Sequence, residues 1–196
     1  MKKDNIRTIK FRRERKGLTD YRKRLKLLSS RKARFVVRKS LKSIQASIVN
    51  YEEKGDIVKV SSHSNSLRKF GWPYSTKNLP AAYLVGFLLG KKAKRSNMDE
   101  AILDIGLQKS VKGSKIYAVL AGALDAGLKV PHNKEILPNK ERISGMHISF
   151  YAQKLKKEPS SLKKQFGDCL KNNSDPETIT KKFEEVKTNI EKNLNK

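Results

Sequence analysis

The chain has 196 residues, 37% of them apolar and 33% charged, and its 45 Lys and Arg against 19 Asp and Glu leave a net charge of +26 at pH 7. Solubility needs a net charge of only about 2–8, so the excess implies a polyanionic partner, with nucleic acid ahead of a membrane surface. One cysteine, Cys169, excludes an internal disulfide and a multi-cysteine zinc site.

The length fits one domain with extensions, or two small domains. Residues 1–43 hold 18 Lys and Arg against 3 Asp and Glu, more than half of the net charge. Residues 1–30 are therefore expected to form a basic arm, and Phe11, Tyr21, Leu25, Leu27 and Leu28 give it anchors. Thr19 or Asp20 can cap a helix from Tyr21 to Ser29. Ala33–Lys39 then alternates as a strand, with Phe35 and Val37 on one face and Arg34, Val36 and Arg38 on the other. Ser43–Tyr51 follows with Ile44, Ala46 and Ile48 on one face. A Gly55-Asp56 turn leads to a third strand, Ile57–Val60, and the three make an antiparallel meander.

The stretch SSHSNSLRKFG predicts a short helix or turn, and residues 71–78 a loop. Asn78 caps a long helix to Arg95, with Pro80 in its first turn. The apolar run Leu79–Gly90 within it spans about 18 Å as a helix, short of a bilayer's ~30 Å, so it reads as buried helix and not as a membrane span. AILDIGL is a fourth strand, expected to pair in parallel after the helical crossover. Ser114 caps a helix from Lys115 to Ala126, ended by Gly127. After a loop at 129–138, residues 139–157 predict one helix carrying Ile143, Met146, Phe150 and Leu155. Past Pro159, Leu162, Phe166, Cys169 and Leu170 share a helical face. Asp175-Pro176 opens a last helix with an apolar seam of Ile179, Phe183, Val186, Ile190 and Leu194, suited to docking on the parent domain or on a partner protein. The expected fold is α/β: a mixed sheet, with an antiparallel three-strand meander plus one parallel strand, and packed helices. It divides into the arm (1–30), an α/β core (31–157) and a helical C-terminal extension (158–196).

Catalytic patterns are weak. GFLLGKKAK has the wrong glycine spacing for a phosphate-binding loop, and its glycines suit close packing along a buried helix. His63, His132 and His147 lack metal-ligand spacing. Asp99, Glu100, Asp104 and Asp125 form no evident magnesium site. A binding protein is expected, with no enzymatic activity, no cofactor and no metal. The N-terminal MKKDNIRTIKFRRER lacks the apolar core of a secretory signal, and the single cysteine points to a reducing compartment.

The candidate nucleic-acid contacts are Arg12, Arg13, Arg15, Lys16, Arg22, Lys23, Arg24, Lys26, Arg31, Lys32, Arg34, Arg38 and Lys39. Lys91, Lys92 and Arg95 add a basic end to the long helix. Arginine offers a planar fork to paired phosphate oxygens. Tyr21, Trp72 and Tyr74 are candidates to stack on unpaired bases, which favours structured or single-stranded RNA over duplex DNA.

The segments RRERKGLTDYRKRLKLLSSRKARFVVRKS, GDIVKVSSHSNSLRKFGWPYSTKNLPAAYLVGFLLGKKA, EAILDIGL and AVLAGALDAGLKVPH…LPNKERISGMHI resemble, in order, the archaeal and eukaryotic large-subunit ribosomal proteins of the universal L-eighteen family. The resemblance covers about residues 7–155, and the compact tail is closer to archaeal members. It implies binding of 5S ribosomal RNA in the central protuberance, with contacts to 23S ribosomal RNA and neighbouring large-subunit proteins. It points to Arg13, Lys16, Asp20, Tyr21, Arg22, Arg24, Leu25, Arg31, Arg38 and Lys39. Leu18 stands where the family pattern GKTDY has lysine, which removes one cation. The competing readings are a general nucleic-acid-packaging protein and an RNA-processing enzyme.

Overall fold

Alternation of apolar and polar residues gives four strands in the computed structural model, which describes residues 9–171 and 174–194. They are β1 (Arg34–Lys39), β2 (Ile44–Asn50), β3 (Ile57–His63) and β4 (Ile102–Asp104). The sheet order is β3-β2-β1-β4. The first three strands are antiparallel, with Phe35 opposite Ile48 and Ile48 opposite Val60. β4 runs parallel to β1, placing Val36 beside Asp104. β4 is shorter than AILDIGL suggested, because Gly106, at φ 60, turns the chain away.

The helices are α1 (Arg12–Arg15), α2 (Tyr21–Leu28), α3 (Leu79–Arg95), α4 (Lys115–Asp125), α5 (Lys140–Ser144), α6 (Met146–Leu155), α7 (Pro159–Lys171) and α8 (Ile179–Leu194). Asn78 caps α3 by accepting from the Ala81 N–H at 2.9 Å. Ser114 stands at the N-cap of α4, but its hydroxyl makes no cap bond there. SSHSNSLRKFG contains a 3-10 helix, Ser64–Phe70, ended by Gly71 at φ 91. The single helix expected over 139–157 is two, because Gly145 takes φ 86 between α5 and α6. Met146 and Phe150, expected among its apolar residues, are exposed.

One face of the sheet is the core. Phe35, Val37, Ile44, Ala46 and Ile48 are fully buried and share a cluster with α3 and α4. α3 and α4 touch backbone to backbone. A Cβ at Gly86 would meet the Val119 carbonyl, and one at Gly122 the Tyr83 carbonyl, both well under 3.0 Å. The glycines of the apolar run therefore serve close helix packing, as their sequence suggested. The seam of α8 docks on the parent chain: Ile179, Phe183, Val186 and Ile190 are buried in the same core. The Phe183 ring lies 5.4 Å from that of Tyr83 on α3, and Lys187 caps the Tyr83 and Phe87 rings. No helix among the described residues is long and apolar enough to cross a membrane.

Candidate nucleic-acid interface

The other face of the sheet carries the outward set of the same alternation: Arg34, Val36 and Arg38 of β1, Val49 of β2, Val58 of β3 and Asp104 of β4. α2 lies over this face, leaving a groove of about 950 Å³ lined by both. Gly17, at φ 62, turns the chain between α1 and α2. Asp20 caps α2 by accepting from the Lys23 N–H at 3.1 Å. Arg13 Nε donates to Thr19 Oγ1 at 3.0 Å, and the Phe11 ring sits 5.0 Å from Tyr21. These contacts tie α1 and α2 together; residues 1–8 of the expected arm lie outside the described residues.

A ladder of alternating charges holds α2 to the sheet. Arg24 Nη2 donates to Asp56 Oδ1 at 2.9 Å. Arg34 Nη2 donates to Asp56 Oδ2 at 2.6 Å, and its Nη1 to Asp104 Oδ2 at 3.0 Å. Arg38 Nη2 reaches Asp104 Oδ1 at 3.0 Å, and its Nη1 donates to the Asp104 carbonyl at 2.7 Å. The Gly106 N–H also donates to Asp104 Oδ1, at 2.8 Å. Burial alone would raise the Asp56 carboxyl, but hydrogen bonds from Arg24 and Arg34 outweigh it and hold it below the ordinary carboxylate range. Asp56 therefore stabilises the fold at neutral pH, and this contribution is lost as the pH falls through and below that range.

The structure sorts the candidate contacts. Arg12, Arg13, Arg15, Lys16, Arg22, Lys23, Lys26, Arg31, Lys32 and Lys39 are exposed. Lys32 pairs with Glu100 at 2.8 Å. Arg24 and Arg38 are partly exposed at the two ends of the ladder. Arg34 is a correction: it is 4% exposed and its guanidinium is turned to two aspartates, so it presents no fork to a phosphate. Trp72 is another, being 1% exposed in the core with its indole N–H donated to the Ser75 carbonyl. Tyr74 is also buried, and its hydroxyl bonds Asp175 and Thr178 just ahead of α8. Both rings were placed by their loop sequence, yet their apolar area is used by the core. Lys91, Lys92 and Arg95 end α3, in the layer that covers the opposite face of the sheet; Lys92 donates to the Ser61 carbonyl and Lys91 lies over the Phe87 ring.

Sequence reasoning read Asp56 as a turn residue and Asp104 as a weak metal candidate, and missed both as partners of the arm's root. It also missed Lys115, which burial, then Lys39 and Lys77, hold below the usual lysine range. These three ammonium groups gather near the start of α4. Among the described residues no group of three or more His, Cys, Asp or Glu could hold a metal ion.

The sequence of this arm and sheet has counterparts among known proteins. The family model described as "Ribosomal large subunit proteins 60S L5, and 50S L18" matches residues 7–101 and 92–133. The chain belongs to this family. The match takes in α1, α2, all four strands, α3 and α4, so the whole ladder lies within the family's shared region. Large ribosomal subunit protein uL18 of the archaeon Korarchaeum cryptofilum (strain OPF8) is 51% identical over 178 residues, covering 91% of each chain. α5 to α8 lie beyond the family match.

Proposed function

We propose that the protein is a structural constituent of the large ribosomal subunit in the cytoplasm. It binds 5S ribosomal RNA and anchors it in the central protuberance through contacts with 23S ribosomal RNA and neighbouring ribosomal proteins. The observation that carries this reading is the arm: exposed cations on α1 and α2, fixed over one face of the sheet, in a chain of a large-subunit ribosomal family. The mechanism is binding without turnover and without a cofactor. Cations of the arm displace counterions from phosphates, and the fixed geometry of α2 above the sheet selects a folded RNA over a uniform duplex.

Competition of 5S ribosomal RNA against duplex DNA at ~150 mM salt tests the reading, since non-specific binding at that salt is weak. A clear preference for 5S ribosomal RNA is expected. Equal binding would favour nucleic-acid packaging instead, and RNA cleavage on adding magnesium would favour an enzyme.

Arg22 and Lys26 are exposed on α2, so an R22A/K26A variant is expected to bind more weakly and less salt-dependently. Each lost phosphate contact lowers the slope of log affinity against log salt by about 0.7–0.9. An unchanged slope would remove both side chains from the contact set. Trp72→Leu is expected to do the reverse. It costs about 1–3 kcal/mol of stability, seen as a lower denaturation midpoint, and leaves RNA affinity unchanged. Weakened binding by a folded W72L chain would return Trp72 to the interface.

A further inference from the structure

The ladder poses a question of charge. A protein with 45 cations places two of its 19 acids directly beneath its basic arm. Each carboxylate there lowers the local positive potential that would attract a phosphate backbone. Burying the Arg34–Asp104 pair carries a desolvation penalty that apolar side chains of similar volume would avoid, and the more exposed Arg24–Asp56 pair adds little stability, so stability alone does not explain the ladder. Geometry does. Asp56 bridges α2 to β1, and Asp104 bridges β1 to the turn after β4. The buried Arg34 joins the two carboxylates, so the ladder runs unbroken from Arg24 to Arg38. Only its Arg34–Asp104 rung is closed, at 4% and 8% side-chain exposure; Asp56 is 27% exposed, and the end arginines, Arg24 and Arg38, are 28% and 43% exposed.

We propose that Asp56 and Asp104 are positioning residues for RNA binding, which fix α2 on the sheet and aim the end arginines, Arg24 and Arg38, into the groove before any RNA arrives. The proposal rests on the reading of this face as the RNA interface. Ordering a flexible cationic arm at the moment of binding would subtract its lost freedom from the affinity, and an arm already fixed avoids that loss.

The proposal and simple electrostatics disagree in sign. Replacing either aspartate by asparagine adds one positive charge, which by Coulomb attraction alone tightens RNA binding. Loss of positioning weakens it. Asp104→Asn puts a neutral amide in the buried position between Arg34 and Arg38, leaving Arg34 only the more exposed Asp56, and is expected to destabilise the sheet. Asp56→Asn keeps Asp104 on Arg34 and Arg38, and is therefore the deciding variant. Glu53→Gln, an exposed carboxylate in the same β2–β3 connection, makes the same charge change away from the ladder.

The test uses the full chain, a 5S ribosomal RNA transcript, and amide hydrogen exchange of residues 21–28 without RNA. For Asp56→Asn, α2 exchange is expected to rise and RNA affinity to fall by about twofold to fivefold, the range lost with a solvent-accessible ion pair. Asp56→Glu is expected to recover part of both, and Glu53→Gln to bind as tightly as the parent or more tightly. A D56N chain that binds RNA with parental or higher affinity overturns the proposal. So does faster exchange spread evenly over the sheet, which would make Asp56 a residue of general stability. A parent chain that shows no preference for 5S ribosomal RNA over duplex DNA fails separately, because it removes the proposed function whatever the aspartate variants do.

Discussion

Gly86→Ala is expected to destabilise the fold severely, although it adds one methyl group to a helix and alanine is the better helix former. The residue lies where α3 crosses α4, and a Cβ there would occupy the space of the Val119 carbonyl and its carbon. The obstacle is backbone, so no rotamer change can clear it. The two helices would have to part, opening the layer that covers the sheet. Overpacking a core commonly costs about 1–3 kcal/mol, and a backbone clash belongs at or above the top of that range. Total stability for a domain is only about 5–15 kcal/mol, so the loss is a large share of it. Gly122→Ala meets the Tyr83 carbonyl across the same seam and is expected to behave alike. Gly167→Ala on α7 is the control: nothing lies within 4 Å of its added Cβ. It is expected to be close to neutral, because Gly167 follows Phe166, whose φ -113 and ψ 18 kink α7 there. Urea denaturation followed by circular dichroism reads all three. A G86A midpoint close to that of the parent would mean that α3 and α4 are not in backbone contact.

Deleting residues 1–30 is expected to leave a folded domain with little RNA affinity. Neither α1 nor α2 contributes a buried residue. With Arg24 gone, Asp56 still has Arg34, and Arg34 still has Asp104, so the ladder's buried rungs survive. The deletion removes the exposed cations Arg12, Arg13, Arg15, Lys16, Arg22, Lys23 and Lys26 together. Losing several phosphate contacts at once lowers affinity by at least about 100-fold at ~150 mM salt. Circular dichroism and RNA titration of the truncated chain check both halves of the expectation. Unfolding would make the arm part of the core. Retained affinity would move the interface elsewhere, with the Lys39, Lys77 and Lys115 group the first place to look.

Local patterns made most of the framework legible. The alternation at 34–39 separated Phe35 and Val37 from Arg34, Val36 and Arg38, and the two sets do face core and groove. The apolar run at 79–90 was buried throughout, and Asn78 capped it. The seam of α8 was clear, while its site on α3 was not, because nothing in residues 179–194 names the partner they pack on. What escaped was long-range. Arg34 and Asp104 are 70 residues apart, and no local spacing signals that two charges will be buried together. Arg34 accordingly looked like one more phosphate ligand in a basic stretch. Trp72 and Tyr74 sat in a loop-forming GWPYSTKN, and loop composition says nothing about whether an aromatic ring turns inward. Gly145 lay inside a helical period, which hid the left-handed residue that divides α5 from α6.

The placement of α8 bears on how the chain matures. Sheet, α3 and α4 are synthesised before residues 179–190, yet those residues cover Tyr83 on α3. At translation speeds of about 5–20 residues per second, that flank of the nascent polypeptide stays uncovered for seconds after the rest is made. Throughout that interval its apolar surface is open to non-native contacts, while the arm on the other face of the sheet already carries its charge.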